Sequence, residues 1–217
     1  MVPVLYRDES IVVCLKPAGI PSQSDQKTVE NMINLLEKEI GGTIFPVHRL
    51  DQGVGGVMVY ARTKHAAAKL SQAIQSGSFD KQYLCVVRGK PAEDSGVYRD
   101  LLLHDRTRNK TFVVQRMRGG VKEASLEYRL LAAQDALSLV QVRLHTGRTH
   151  QIRVQFSSRK TPLLGDGKYG GGSGEIALWS FSLSFPHPVT GKAVTWVHLP
   201  QGAPWDLFPL SELITVP

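Results

Sequence analysis

Apolar residues along this chain alternate between two periods, and the changes of period outline its elements. Ile11-Val12-Val13-Cys14-Leu15 is an unbroken apolar run stopped by Lys16-Pro17, which predicts a buried strand. Val29, Met32, Ile33, Leu36 and Ile40 recur at helical spacing over 28–40, with Thr28 as N-cap and Gly41-Gly42 as the stop. A strand follows at 57–61. Thr63 then caps a second helix whose face is Ala66, Ala67, Leu70 and Ile74, ended by Gly77. The pattern next becomes strand-rich, at 83–87, 111–114, 124–131 and 137–144. A third helix starting near Thr149 takes in Ile152, Val154 and Phe156, and strand-like runs at 177–185 and 193–199 close the core. Strands and helices mix without a regular β-α-β rhythm. That predicts an α+β fold with a mixed, mainly antiparallel sheet flanked by helices. With 217 residues and no repeat or long linker, one domain spanning 1–217 is expected.

One polar stretch interrupts this core pattern in an unusual way. His48-Arg49-Leu50-Asp51 lies between apolar Ile44-Phe45-Pro46-Val47 and a glycine-loosened segment, Gly53-Val54-Gly55-Gly56, beyond which the chain turns apolar again. A carboxylate placed in a loop between two buried runs, two residues from a guanidinium, has the character of a covalent nucleophile.

Composition narrows the partners. Apolar residues make up 42% and charged residues 21%, ordinary for a globular enzyme and far from disorder. The net charge of +7 favours a polyanion such as nucleic acid, although a charge serving solubility alone fits equally. The excess is concentrated in 104–122, where Arg106, Arg108, Lys110, Arg116, Arg118 and Lys122 face one acid, Asp105. Such a basic hairpin suits a phosphate backbone, or equally an edge whose charges block sheet-to-sheet association. Cys14 and Cys85 sit in apolar runs and read as buried thiols of a reducing compartment. Met1 leads into no charged-then-apolar leader and no run reaches membrane-spanning length, so a soluble cytoplasmic protein is expected.

A second polar cluster, His145 to Arg153, falls where a strand gives way to a helix. Arg148, Gln151 and Arg153 there suit phosphate or carboxylate groups, the plainer alternative being a capped helix with surface arginines. His145 and His150 lack a metal-ligand spacing and a third ligand, so no metal is expected. His-Arg-Leu-Asp differs in order from a kinase catalytic loop. Gly165-Asp166-Gly167-Lys168-Tyr169-Gly170 satisfies a dinucleotide-binding spacing but leads into further glycines rather than a helix. Tyr83, entering a strand after Lys81-Gln82, reads as core packing or as a platform for an extruded base.

Read in order, these segments resemble the RluA-like family of pseudouridine synthases. The matches are Lys16-Pro17-Ala18-Gly19, His48-Arg49-Leu50-Asp51, Lys81-Gln82-Tyr83, Gly147 to Arg153, Gly165-Asp166 with Tyr169-Gly170, and Phe185-Pro186-His187-Pro188. The resemblance covers roughly residues 5 to 200. It implies an isomerase that breaks the N1–C1′ bond of a uridine in ribosomal or transfer RNA, turns the base and forms C5–C1′, with no cofactor and no metal. It implies that Asp51 opens the glycosidic bond, that Arg153 keeps it ionised, and that Tyr83 stacks on the base and serves the final proton removal. Arg49 is then the RNA-facing wedge. Leu50 and Ile152 are apolar walls, and Arg148, His150 and Gln151 complete the substrate-binding set. A monomer acting on structured RNA, with no membrane partner, is the expectation.

Two departures accompany the resemblance. The family usually continues the aspartate loop with Thr-Ser-Gly, where this chain has Val54-Gly55-Gly56, implying fewer hydrogen bonds and a more flexible loop. The resemblance is also read as covering the catalytic part alone, the expectation being no S4-type RNA-binding module of the kind many relatives carry, which would leave RNA affinity to features such as the 104–122 hairpin. A catalytically weak or silent RNA-binding protein retaining the fold is the alternative that the glycines suggest.

Overall fold

The computed structural model describes residues 1–24 and 29–214. In chain order the elements are β1 (Val4–Arg7), β2 (Ile11–Lys16), α1 (Met32–Ile40), β3 (Phe45–Pro46), β4 (Gly55–Ala61), α2 (Lys64–Gln75), β5 (Asp80–Arg88) and β6 (Ser95–Asp105). They continue with β7 (Lys110–Val114), β8 (Val121–Gln134), β9 (Leu137–Leu144), α3 (Gln151–Ser157), β10 (Leu178–Pro186), β11 (Ala193–Val197) and α4 (Leu210–Leu213). The class is α+β, with a mainly antiparallel sheet. The chain divides into two compact units, Met1–Lys81 with Trp179–His198, and Gln82–Leu178 with Leu199–Pro217.

In the first unit β2 pairs antiparallel with β1 and β4, β10 runs parallel to β4, and β11 pairs antiparallel with β10. β4 is buried along its whole length, which is why its residues form a continuous apolar run rather than an alternation. Ile11, Val13, Val57 and Val59 meet Ala66, Leu70 and Ala73 of α2, with Phe79 stacked on Phe185 at 4.9 Å. Thr63 caps α2 as its spacing predicts, its side chain accepting from the Ala66 amide at 3.1 Å. Thr28, expected to cap the first helix, lies outside the described residues. The helix begins four residues later, because the Asn31 side chain accepts from the Ile33 and Asn34 amides at 3.0 and 3.3 Å.

The second unit is an antiparallel series, β5–β9–β8–β6–β7. α3 covers one face, Phe156 packing edge-on to Tyr98 and Tyr128 at 5.2 and 5.8 Å. The eleven-residue β6 has no clear signature in the sequence. It mixes Arg99 and Asp100 into its run, and the first seven of its residues alternate only loosely between faces. β1 is similarly hidden, because a four-residue edge strand with three exposed positions carries little apolar signal.

The 104–122 segment differs from one basic hairpin tip. Arg106 and Arg108 occupy the β6–β7 turn, whereas Arg116 and Arg118 occupy the separate loop from β7 to β8. The five residues of β7 stand between them, a span of about 15 Å at strand rise. The Asp105 carboxylate builds the first turn, accepting from the Thr107 and Arg108 amides at 2.9 and 3.2 Å. Among the described residues β7 ends the strand order, so the basic groups flank an edge strand.

Candidate active site

The aspartate loop is tied down from beneath. Lys16, the last residue of β2, is fully buried, and its ammonium donates to the carbonyls of Pro17, Gln52 and Val54 at 2.9, 3.0 and 2.7 Å. Burial pulls its pKa from 10.5 down to about 8, and the Asp51 carboxylate opposes that fall. The Gly19 amide reaches the Gln52 carbonyl at 2.8 Å, and the Gln52 side chain returns a bond to Gly19 at 3.0 Å. One residue before the aspartate, the Ser22 hydroxyl both donates to the Leu50 carbonyl (2.8 Å) and accepts from its amide (3.0 Å). The Val54 amide closes the turn on the Asp51 carbonyl at 3.0 Å. Each backbone group from Leu50 to Val54 that these bonds engage is thereby fixed, leaving Asp51 half-buried and Arg49 exposed at the rim.

His48 anchors the loop's other end. Its Nε2 accepts from the Val59 amide at 3.2 Å, and its ring lies 5.4 Å from that of Phe79. Burial, aided by the Lys81 charge, holds its pKa down near 3, so it is a neutral brace at physiological pH. Leu50 is buried and forms part of the apolar interior.

The glycines after the aspartate are not a loose hinge. Gly55 and Gly56 are buried residues of β4, aligned with Trp179 and Ser180 of β10. A Cβ on Gly55 would run into the Trp179 ring, with Cε3 at 2.9 Å, and one on Gly56 would meet the Ser180 backbone. Trp179 thus fills the volume that a serine would take in the family's usual sequence, and its indole donates to the His198 carbonyl at 2.8 Å. The expected flexibility is corrected on this ground: packing and strand pairing hold both glycines in place.

In the second unit Arg153 projects from α3 into a buried bidentate pair, its Nε and Nη2 donating to Asp166 at 2.7 and 2.9 Å. The side chains are 7% and 1% exposed, so the guanidinium plane is firmly set. Tyr83 on β5 is buried. Its register partner Val142 is in turn aligned with Tyr128, which places Tyr83 on the sheet face that α3 covers. Ile152 is buried, and Arg148 is exposed with its Nε on the Glu123 carbonyl at 2.9 Å. Gln151 turns inward: its Oε1 accepts from Thr146 and the Arg148 amide at 2.8 and 3.0 Å, and its Nε2 donates to the Ser125 carbonyl at 3.1 Å. His150, in a left-handed conformation with φ of 54°, is bonded through Nδ1 to the Tyr169 hydroxyl at 2.9 Å. Gln151 and His150 therefore shape the loop before α3 from within.

Lys16 and Asp166 lie in matched segments but carried no role there, and Ser22 and Trp179 carried no sign in the sequence. A lysine ending a buried apolar run was a further sign, since an ammonium there needs acceptors. His187 of the Phe-Pro-His-Pro segment is structural, its Nε2 lying 2.9 Å from Asp8 beside the β1–β2 turn. No helix among the described residues is long and apolar enough to cross a membrane.

Comparison with known proteins places the chain in a family. The RNA pseudouridylate synthase family profile matches residues 10–158. An uncharacterised RNA pseudouridine synthase of Bacillus subtilis is 33% identical over 88% of this chain and 66% of its own length. A ribosomal large subunit pseudouridine synthase D of Zymomonas mobilis is 33% identical over 91% of this chain and 69% of its own. The chain thus spans about two thirds of the length of these relatives. Among solved structures, human RNA pseudouridylate synthase domain containing 4 superposes with a TM-score of 0.75 at 23% identity, covering 92% of this chain and 89% of that one, a likeness of fold. On the profile match and these relatives, the chain belongs to the RNA pseudouridylate synthase family.

Proposed function

We propose that this protein converts a specific uridine of structured ribosomal or transfer RNA into pseudouridine, residues 1–217 acting as one catalytic domain and as a monomer in the cytoplasm. The observation that carries the reading is the Asp51 loop, held by one buried ammonium on three carbonyls and by Ser22 on both sides of Leu50. A carboxylate on so fixed a backbone is suited to meeting a reacting carbon at a set distance. The family profile also runs across both compact units, which supports reading them as one catalytic body.

The reaction breaks N1–C1′, rotates the base, joins C5 to C1′ and moves the C5 proton away while N1 gains one. Electrons and atoms balance within the nucleotide, so the reaction itself calls for no cofactor or metal. Asp51 acts on the nucleotide to release the base, and Arg153, its guanidinium plane set by Asp166, is the cation of the catalytic set. Tyr83 stacks on the base and takes part in removing the C5 proton. Arg49 enters the RNA where the nucleotide leaves its stack, and Leu50 and Ile152 keep water from the opened sugar. Arg148 contacts the backbone, His150 and Gln151 hold its loop, and Arg106, Arg108, Lys110, Arg116 and Arg118 add salt-sensitive affinity at the two ends of β7. The alternative, a catalytically weak or silent RNA-binding protein, rests on the Val54-Gly55-Gly56 departure, and the packing of Trp179 over Gly55 supports a firm loop instead.

The test is incubation with RNA from cells lacking the gene, followed by pseudouridine mapping. New pseudouridine at a defined site supports the reading, and RNA bound without conversion refutes it.

A further inference from the structure

Tyr169 stands where the basic hairpin, the loop before α3 and the Arg153 guanidinium meet. Its hydroxyl oxygen accepts from the Thr111 amide of β7 at 2.7 Å. Burial raises the pKa of the phenol, and its hydroxyl is hydrogen-bonded to His150 Nδ1 at 2.9 Å. The ring is approached by two cations: Arg153 Cζ lies 5.1 Å and Lys110 Nζ 5.2 Å from its centroid. The Tyr169 carbonyl accepts from Ser157 at the end of α3 at 2.7 Å, and its amide donates to the carbonyl of Asp166, the partner of Arg153, at 3.1 Å.

The hairpin is joined to the same node elsewhere. The Thr111 hydroxyl donates to the Thr149 carbonyl at 2.8 Å, and Lys168, one residue before the tyrosine, donates to the Asn109 carbonyl of the hairpin turn at 2.8 Å. Leu102 of β6, Ala124 of β8 and Val154 of α3 form a buried cluster with Tyr169, Val113 of β7 packing against it. A displacement of β7 would act on the Thr111 bonds to Tyr169 and Thr149. Through these bonds β7 is connected in series to the phenol and to His150, a non-glycine residue in a left-handed conformation directly before the helix that carries Arg153.

We propose that Tyr169 is a positioning residue that relays the grip of the β6–β7 turn on RNA to Arg153, so that a bound phosphate backbone and an aligned guanidinium go together. The proposal rests on the reading of the chain as a synthase and adds to it a coupling between the distal basic turn and turnover. Arg106 and Arg108, exposed in that turn, supply the grip, and the aromatic–hydroxyl node supplies the coupling.

Tyr169→Phe keeps the ring and removes only the hydroxyl bridge. It is compared with Arg106→Ala/Arg108→Ala and with the triple variant, after thermal melts establish that each is folded. With ribosomal and transfer RNA from a strain lacking the gene, RNA affinity and the single-turnover rate at saturating RNA are read separately. For Tyr169→Phe the saturating rate should fall about tenfold or more while affinity stays within about twofold, as loss of alignment without loss of phosphate contacts predicts. The double arginine variant should lose both affinity and saturating rate, and the triple variant should lose affinity without a further fall in rate. An unchanged saturating rate in Tyr169→Phe, or a full additional rate loss in the triple variant, overturns the relay. A second readout is independent of turnover. RNA should slow hydrogen exchange of the α3 amides in the wild type and not in Tyr169→Phe. Absence of RNA-dependent protection in the wild type, or its persistence in Tyr169→Phe, overturns the relay whether or not the RNA is converted. A wild type that protects α3 but makes no pseudouridine would instead refute the synthase reading and leave the relay standing.

Discussion

Replacing Lys16 with methionine should separate the stability of this protein from its activity. The substitution keeps most of the aliphatic volume and removes the ammonium that holds Pro17, Gln52 and Val54. All three carbonyls lose the ammonium, but that of Gln52 retains the Gly19 amide, so two acceptors, Pro17 and Val54, are left to be satisfied. At about 1–3 kcal/mol for each buried acceptor left unsatisfied, the loss is about 2–6 kcal/mol. Against it stands the cost of keeping a charge buried at neutral pH. The fall from 10.5 to about 8 corresponds to about 3 kcal/mol at 1.36 kcal/mol per unit. The two nearly offset, and the net change at pH 7 should lie between slight stabilisation and a loss of about 3 kcal/mol.

Turnover has no such compensation. A loop released at three carbonyls lets Asp51 shift, and a displacement near 1 Å costs about 100-fold in rate. The pH dependence gives an independent check. A lysine with a depressed folded pKa binds fewer protons when native than when unfolded between pH 8 and 10.5. Its contribution to stability is therefore full above 10.5 and lost as pH falls through 8. The methionine variant should thus lose ground to the wild type by about 3 kcal/mol as pH rises through that window, read from urea melts at several pH values. Wild-type turnover in the variant, or a pH-independent stability difference, would refute the assignment of Lys16 as the anchor of the loop.

Other substitutions test the rest of the framework. Gly55→Ser should destabilise by about 1–3 kcal/mol through overpacking against the Trp179 ring, and combining it with Trp179→Leu should cost less than the sum of the two in thermal melts. Asp166→Ala should cost about 3–5 kcal/mol in chemical denaturation because it strands the buried Arg153 charge, with a matching loss of turnover. The His48 pKa is held down near 3, so its contribution to stability is complete above pH 6.5 and lost as pH falls toward 3; His48→Phe should flatten that limb of the stability curve. Arg106→Ala/Arg108→Ala and Arg116→Ala/Arg118→Ala should each lower the salt dependence of RNA binding by about one to two ion equivalents, and a pair that leaves it unchanged does not touch RNA.

The physics of burial decided which parts of this molecule were legible in its sequence. β4 and the core of β5 announced themselves because strands buried on both faces must be apolar throughout. The α2 cap was legible because Thr63 acts through its own neighbours, whereas the start of α1 shifted to Asn31 because two side chains of cap character lay close together. β6 was not legible, since a strand carrying Arg99 and Asp100 has only its neighbours to define it. The His48-Arg49-Leu50-Asp51 stretch itself stood out as polar residues amid core. What holds it did not: Lys16 lies 35 residues before Asp51 and Trp179 lies 124 after Gly55, and no local pattern encodes either contact. The glycines misled for the same reason, since a missing Cβ looks like freedom until the ring that fills its place is known.

The claim that matters most is that Asp51 performs the chemistry on RNA. Asp51→Asn preserves shape and removes the charge, and its most direct test is single-turnover pseudouridine formation measured alongside RNA affinity. The account predicts no detectable pseudouridine with affinity within a few-fold of wild type. Pseudouridine formed by the variant at a wild-type rate would contradict it.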